Sequence, residues 1–396
     1  VENRAGGRLA LLLPAGFAML AGLDAALVLL GLPAPVEAAR LPSVHGMLMV
    51  LGFVGTLVAL ERAVAVGRWW CFAAPVGLGL GGIALVTPLP LAVGRTALLV
   101  GAAAFVAVYL AIWRRQAAAA VAVQATGAVL AVGAAALWLA GVDVPPLTPW
   151  LAGFLVLTVV GERLELMRIV PLPRWAPDAL VGAACGVLGG AALGLLWPAV
   201  GVPVVGAALL VAVGVLARFD VATRTVRSTG LPRFMGAAML AGFAWLAVAG
   251  ALWLVGGPVL DGTGYDAVLH AVFLGFVMSM VMAHAPVILP AVLRRPLPYR
   301  AAMWVPLAVL HATLVLRLLV GDAWGVPVAV QVGGVGNIVA VLGFFGVAVT
   351  SVLLGRRPAP ARTASSVADA PAGPPAAPVT TLASPASAPT SSAVAR

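Results

Sequence analysis

Apolar runs of about 20 residues recur from one end of this chain to the other, separated by short polar punctuation. As helix, a run of that length crosses the hydrocarbon core of a bilayer. Twelve such runs can be read: 8–32, 44–66, 72–89, 92–113, 117–141, 149–169, 177–198, 200–218, 233–256, 265–292, 300–320 and 324–354. Pro and Gly cluster in the connections, as at Leu32-Pro33-Ala34-Pro35 and Val144-Pro145-Pro146, where helices break. Between the seventh and eighth runs Trp197-Pro198 is nearly the only punctuation. The first run is longer than the apolar core of a signal peptide and counts as a span. The pattern predicts an all-α, polytopic membrane protein with twelve transmembrane helices over residues 1–356. Residues 357–396 are rich in Ala, Pro, Ser and Thr, cannot bury a core, and are expected to form a disordered cytoplasmic tail.

Composition agrees with this. The 396 residues are 63% hydrophobic and 9% charged, with a mean hydropathy of +1.12, where a soluble domain is nearer a quarter charged. All 23 basic residues are Arg, and the net charge is +10. These arginines sit in short loops, so they report topology, and no nucleic-acid partner is expected. One set of loops carries Arg4, Arg8, Arg68, Arg114, Arg115, Arg174, Arg224, Arg227, Arg294, Arg295, Arg356 and Arg357. The other holds Arg40, with Arg95 and Arg317 just inside helix ends, and the acids Asp143, Asp261, Asp266 and Asp322. The positive-inside rule then puts both termini in the cytoplasm, in a bacterial inner (cytoplasmic) membrane, surrounded by lipid. Even-numbered helices run inward from the outer surface. The cysteines, Cys71 and Cys185, give no disulfide framework.

A repeat underlies the twelve helices. ALVLLG (26–31), ALWLAG (136–141) and ALWLVG (251–256) close the first, fifth and ninth, with starts 110 and 115 residues apart. The helix after each carries a Gly-Phe pair, in LGFV (51–54), AGFL (152–155) and LGFV (274–277). The spacing predicts three pseudo-repeated arcs of four helices, and internal repeats of this sort are common in membrane folds.

The four histidines fall into this frame. His45 lies 19 residues after Ala26, and His270 lies 19 residues after Ala251. The middle repeat has Leu155 at that place. His45 and His270 therefore enter from the same side at similar depth, whereas His284 and His311 fall in the inner half, within reach of each other. A lone intramembrane His can simply bond a neighbouring carbonyl. Two at matched depth fit better as paired axial ligands, because neutral imidazole binds haem iron without a buried charge. A zinc or copper site ordinarily wants three or four ligands at one level. Haem propionates call for arginine, and Arg40, Arg95 and Arg317 are the candidates on that side, Arg95 reading better as an interfacial anchor. Gly46, Gly52 and Gly275 would admit a flat macrocycle, and serve helix packing equally well.

His-Gly-Met-Leu-Met at 45–49 resembles the second helix of heme–copper oxidase catalytic subunits. The segment VLHAVFLGFVMSMVMAHAP (268–286) is similar to the NnrS membrane proteins, a family distantly like those oxidases. The resemblance implies twelve helices in three arcs, His45 and His270 as ligands of a haem b, copper as a further metal, and a role in nitric oxide stress. The partner would be a small diatomic gas or an electron donor. The departures matter too. The sixth helix has no His, and none of Tyr109, Tyr265 and Tyr299 stands where an oxidase has its active-site tyrosine. Only Arg317 replaces the oxidase's paired arginines, so a standard oxygen-reducing activity is not expected.

Near the cytoplasmic face, LERAVAVGR (60–68) and GERLELMR (161–168) end the second and sixth helices. One reading pairs Glu61, Arg62, Glu162, Arg163, Glu165 and Arg168 across the repeats, fixing register. The other makes Glu162 a proton relay with His284 and His311, and the chain a proton-coupled secondary transporter. Asp24 in the first helix, with Gln331 and Asn337 in the twelfth, adds polar groups with no clear place in either reading.

Overall fold

The computed structural model describes residues 2–167 and 172–354. Arg168, Arg356, Arg357 and the 357–396 tail lie outside the described residues. Twelve helices are long and apolar enough to cross a membrane, and no strand occurs among the described residues. They are α1 (Ala10–Leu29), α2 (Leu41–Val66), α3 (Trp69–Val86), α4 (Leu91–Arg115), α5 (Ala119–Leu139) and α6 (Val144–Leu166), then α7 (Trp175–Leu196), α8 (Pro198–Phe219), α9 (Gly230–Gly256), α10 (Gly262–Val292), α11 (Ala301–Ala323) and α12 (Pro327–Leu354). The protein is an all-α polytopic membrane protein, as its apolar pattern requires. Trp197-Pro198 does separate two helices. Trp197 leaves helical geometry at φ −131 and ψ 77, and Pro198 opens α8 at a position where its missing N–H costs nothing.

In lipid the hydrophobic effect no longer drives helices together, so close packing of small residues takes over. Gly77 on α3 and Gly101 on α4 illustrate it: a Cβ on Gly77 would lie 2.7 Å from the Gly101 Cα. Alanine there would force the two helices apart.

Burial is uneven and follows the helix count. The shares of the apolar window buried by other protein are 67% for α2, 72% for α6 and 61% for α10, and no other helix exceeds 56%. These three helices also touch one another. Every fourth helix is thus central, and α2 and α10 are the two that carry His45 and His270.

Candidate functional site

His45 sits in the first turns of α2 and His270 in the third turn of α10. The His45 Nδ1 is 2.9 Å from the Gly22 carbonyl oxygen of α1, and the His270 Nδ1 is 2.9 Å from the Asp266 carbonyl oxygen. A carbonyl only accepts, so in both rings Nδ1 carries the proton and Nε2 keeps a bare lone pair. Neither Nε2 has a protein partner among the described residues, and neither is sealed away as a buried orphan. The two side chains lie close enough for His270, Asp266 and Arg317 all to act electrostatically on His45. A neutral imidazole whose Nδ1–H is held by an oxygen is the form in which histidine ligates metals.

Behind His270 stands an ion pair. Arg317 of α11 donates from Nε and Nη2 to the two oxygens of Asp266, at 2.8 and 2.7 Å. The same carboxylate lies 3.2 Å from the His270 Nδ1. Asp322 adjoins this pair, and its Oδ2 is buried with no partner among the described residues.

The local winding is unusual. Leu48–Gly55 in α2, Ala271–Met278 in α10 and Leu316–Ala323 in α11 are π-helical, with i→i+5 bonds. Such widened turns are rare and concentrate at functional sites. All three adjoin this cluster: one follows His45 by three residues, one begins after His270, and one contains Arg317 and Asp322. In the first two, LGFV occupies the same four positions of the stretch. At their ends, Thr56 donates to the Gly52 carbonyl at 2.7 Å and Ser279 to the Gly275 carbonyl at 2.5 Å. By this marker His270 corresponds to Met47, so the histidines are offset by two residues, whereas the ALVLLG and ALWLVG marker makes them equivalent.

Other expected members of the site are placed elsewhere. Arg40 donates to the carbonyls of Thr87 and Leu89, at 2.7 and 2.8 Å, closing the end of α3. Arg317 belongs to the cluster, where its Nε and Nη2 rest on Asp266. Asp322, between two spans in the sequence reading, lies inside α11, and Asp266 lies in the second turn of α10. A Cβ on Gly52 would press on the Gly82 Cα at 3.3 Å, and one on Gly275 would meet the Trp245 ring at 2.4 Å. Helix packing already fills both positions, leaving no room there for a macrocycle. The Arg95 guanidinium lies 4.5 Å over the Trp138 ring, and Asp24 accepts from the Val36 amide at 3.2 Å, tying down the α1–α2 loop.

His284 and His311, the other two candidate metal ligands, are held differently. Trp245 Nε1–H donates to the His311 Nδ1 at 3.0 Å, so the proton of that ring is on Nε2, which faces the Ser279 hydroxyl at 3.4 Å. Both ring nitrogens of His311 are therefore engaged. His284 holds its own helix, Nδ1–H to the Met280 carbonyl at 2.7 Å, and its Nε2 faces Nη1 of Arg163 at 3.4 Å. No group of three or more His, Cys, Asp and Glu side chains gathers for a metal among the described residues.

At the opposite end of the bundle Arg62 of α2 pairs with Glu61, at 3.3 Å, and with Glu162 of α6. This links two of the three central helices, as the register reading expects. Arg163 departs from it. Its partner is the fully buried Asp220, with Nε at 2.7 Å and Nη2 at 3.1 Å. Asp220 also accepts from the Ala222 amide at 2.7 Å, capping the turn after α8. Glu165 is exposed. The Tyr109 hydroxyl is buried beside this cluster, unpartnered among the described residues.

The fold defines a twelve-helix membrane protein, with His45 and His270 near one end of the helix bundle. Residues 8–353 match the family model described as a domain of unknown function (DUF8744), and the chain belongs to that family. No curated protein and no solved structure matches the chain.

Proposed function

We propose that His45 and His270 are the axial ligands of a haem b, and that the chain is a haem-binding membrane protein of the kind the NnrS resemblance implies. The observation that carries this reading is the shared state of the two rings: Nδ1–H tied to a carbonyl, Nε2 bare, and the side chains within electrostatic range. The donor set fits iron with two open axial positions. When bound, such a group would supply reversible one-electron chemistry; a diatomic gas such as nitric oxide would bind only where one of the two histidines leaves the iron. The chain's residues hold the rings in one tautomer and set the Asp266–Arg317 pair beside one of them. Burial that peaks at every fourth helix supports the three-arc arrangement. By the positive-inside rule the arginine-rich face is cytoplasmic, in a bacterial inner membrane, and the histidine centre lies towards the outside.

The test is a reduced-minus-oxidised optical spectrum of the detergent-purified protein from haem-replete cells, beside His45→Ala and His270→Ala. A sharp low-spin signal lost in both variants is expected. A colourless protein that carries copper would move the assignment to a bis-imidazole copper site. One that carries neither would end the metal reading and favour proton-coupled transport through the Glu61–Arg62–Glu162 cluster.

A further inference from the structure

On the face opposite His45, a cleft of about 380 Å³ opens between the end of α2 and the end of α4. Gly67 ends α2 in the left-handed conformation, φ 74, and turns the chain so that Arg68 and Trp70 form one wall. Arg114 and Arg115, in the last turn of α4, form the other. The floor is the apolar face of α4 at Ala107 and Leu110. Arg68 and Arg115 both reach the surroundings of Cys71, so the two walls converge.

Three guanidinium groups thus share one cleft, and none makes an ion pair or a side-chain hydrogen bond among the described residues. Arg40, Arg62, Arg163 and Arg317 each find an acceptor, whereas these three, like the exposed Arg224 and Arg227, have none among the described residues, and these three line one cleft. Like charges held together without a counter-ion repel, and an anionic ligand relieves that. The cleft also sits at the membrane surface: Trp69 is 86% exposed and Trp113 42% exposed on either side of it, as indole rings are at the headgroup level. Its polar rim and apolar floor match a molecule with a phosphate at one end and an acyl chain at the other.

We propose that Arg68, Arg114 and Arg115 bind the headgroup phosphate of one anionic glycerophospholipid, whose acyl chain lies along Ala107 and Leu110. Guanidinium forks suit phosphate oxygens, and basic pockets between transmembrane helices are a known form of lipid-headgroup site. A choline headgroup would bring its own cation against three arginines, so the site favours a net-negative lipid. The site is independent of whatever His45 and His270 hold.

The test is native mass spectrometry of the full chain after exchange into phosphatidylglycerol or phosphatidylcholine micelles. The parent is compared with the triple variant Arg68→Gln/Arg114→Gln/Arg115→Gln and with Arg224→Gln/Arg227→Gln, which removes two exposed arginines elsewhere. Phosphatidylglycerol should stay on the parent and the control and fall by about tenfold or more in the triple variant. Raising the salt on the parent alone should strip it, which tests the idea even if the triple variant does not fold. Equal retention by triple variant and parent, equal retention of phosphatidylcholine, or indifference to salt would each overturn the proposal. Retention of inorganic phosphate by the parent, with phosphatidylglycerol not retained, would overturn the lipid and leave an anion site for phosphate alone.

Discussion

Arg317 lies across both carboxylate oxygens of Asp266, at 2.8 and 2.7 Å, and Asp266 stands one helical turn before His270. The pair therefore joins α11 to α10 at the level where His270 presents its ring. Arg317 is almost buried, at 8% exposure, and Gly333 of α12 makes room for it: a Cβ there would lie 2.7 Å from the Arg317 Cβ. Three helices thus meet around one guanidinium.

Removing one partner of that pair leaves the other charge uncompensated. Arg317→Gln should destabilise the protein by about 3 kcal/mol, at the low end for breaking a buried pair because Asp266 is partly exposed. Adding Asp266→Asn to Arg317→Gln should recover part of that loss, since no lone charge remains. Thermal unfolding of the detergent-purified single and double variants measures both. If the double variant is worse by the sum of the singles, the two residues are not coupled.

What each ring nitrogen meets divides the four histidines into two sets. His45→Ala and His270→Ala should abolish binding of the proposed haem, and His311→Ala should leave it in place, because both His311 nitrogens are used by Trp245 and Ser279. His284→Ala should also leave it, since that ring faces Arg163 at the other end of the bundle. Haem per protein, read from the absorbance of the four purified variants, checks the division. Equal loss in all four would mean the variants report folding and not ligation.

Much of this was legible in the sequence, and the illegible part has physical causes. The twelve spans stand out because bilayer thickness fixes their length and Pro or Gly ends them. His45 and His270 stand out because an ionisable group is costly in lipid and rare there. Their partners are the carbonyls of Gly22 and Asp266, and a backbone acceptor leaves no mark on residue identity. Asp266 counted among the outer-face charges because it lies within a turn of a helix start, where composition does not show that it pairs with Arg317. Asp220 was missed for the same reason beyond the end of α8. The Glu-Arg pairs of α2 and α6 look alike in sequence, yet Arg62 turns to glutamates and Arg163 to Asp220. The π-helical turns have no compositional signature.

Arg163 and Asp220 make the most buried ion pair described, with side chains 5% and 0% exposed. Asp220→Asn should cost about 3–5 kcal/mol, because it strands a guanidinium and weakens the cap on the Ala222 amide. Glu165→Gln, on an exposed side chain of the same helix end, should change stability by no more than about 0.5 kcal/mol. Melting temperatures of the two variants in one detergent make the comparison. Similar effects would show that the Arg163–Asp220 pair is not what holds α6 to the turn after α8.

Gly275 gives the sharpest steric prediction. Its Cα–H faces the Trp245 indole so closely that a Cβ would lie 2.4 Å from Cγ and 2.5 Å from Cβ of that residue. Neither atom is at the far end of a flexible chain, so the ring cannot swing clear without moving α9 itself. Gly275→Ala should therefore push Trp245 from α10, break its 3.0 Å bond to His311, and cost about 1–3 kcal/mol. Gly182→Ala, on α7 with nothing within 4 Å of the added carbon, is the matched control and should be neutral or stabilising by up to about 1 kcal/mol from helix propensity alone. Thermal unfolding reads the cost of each. A Gly275→Ala protein as stable as the Gly182→Ala protein would mean that α9 and α10 are not packed through Trp245.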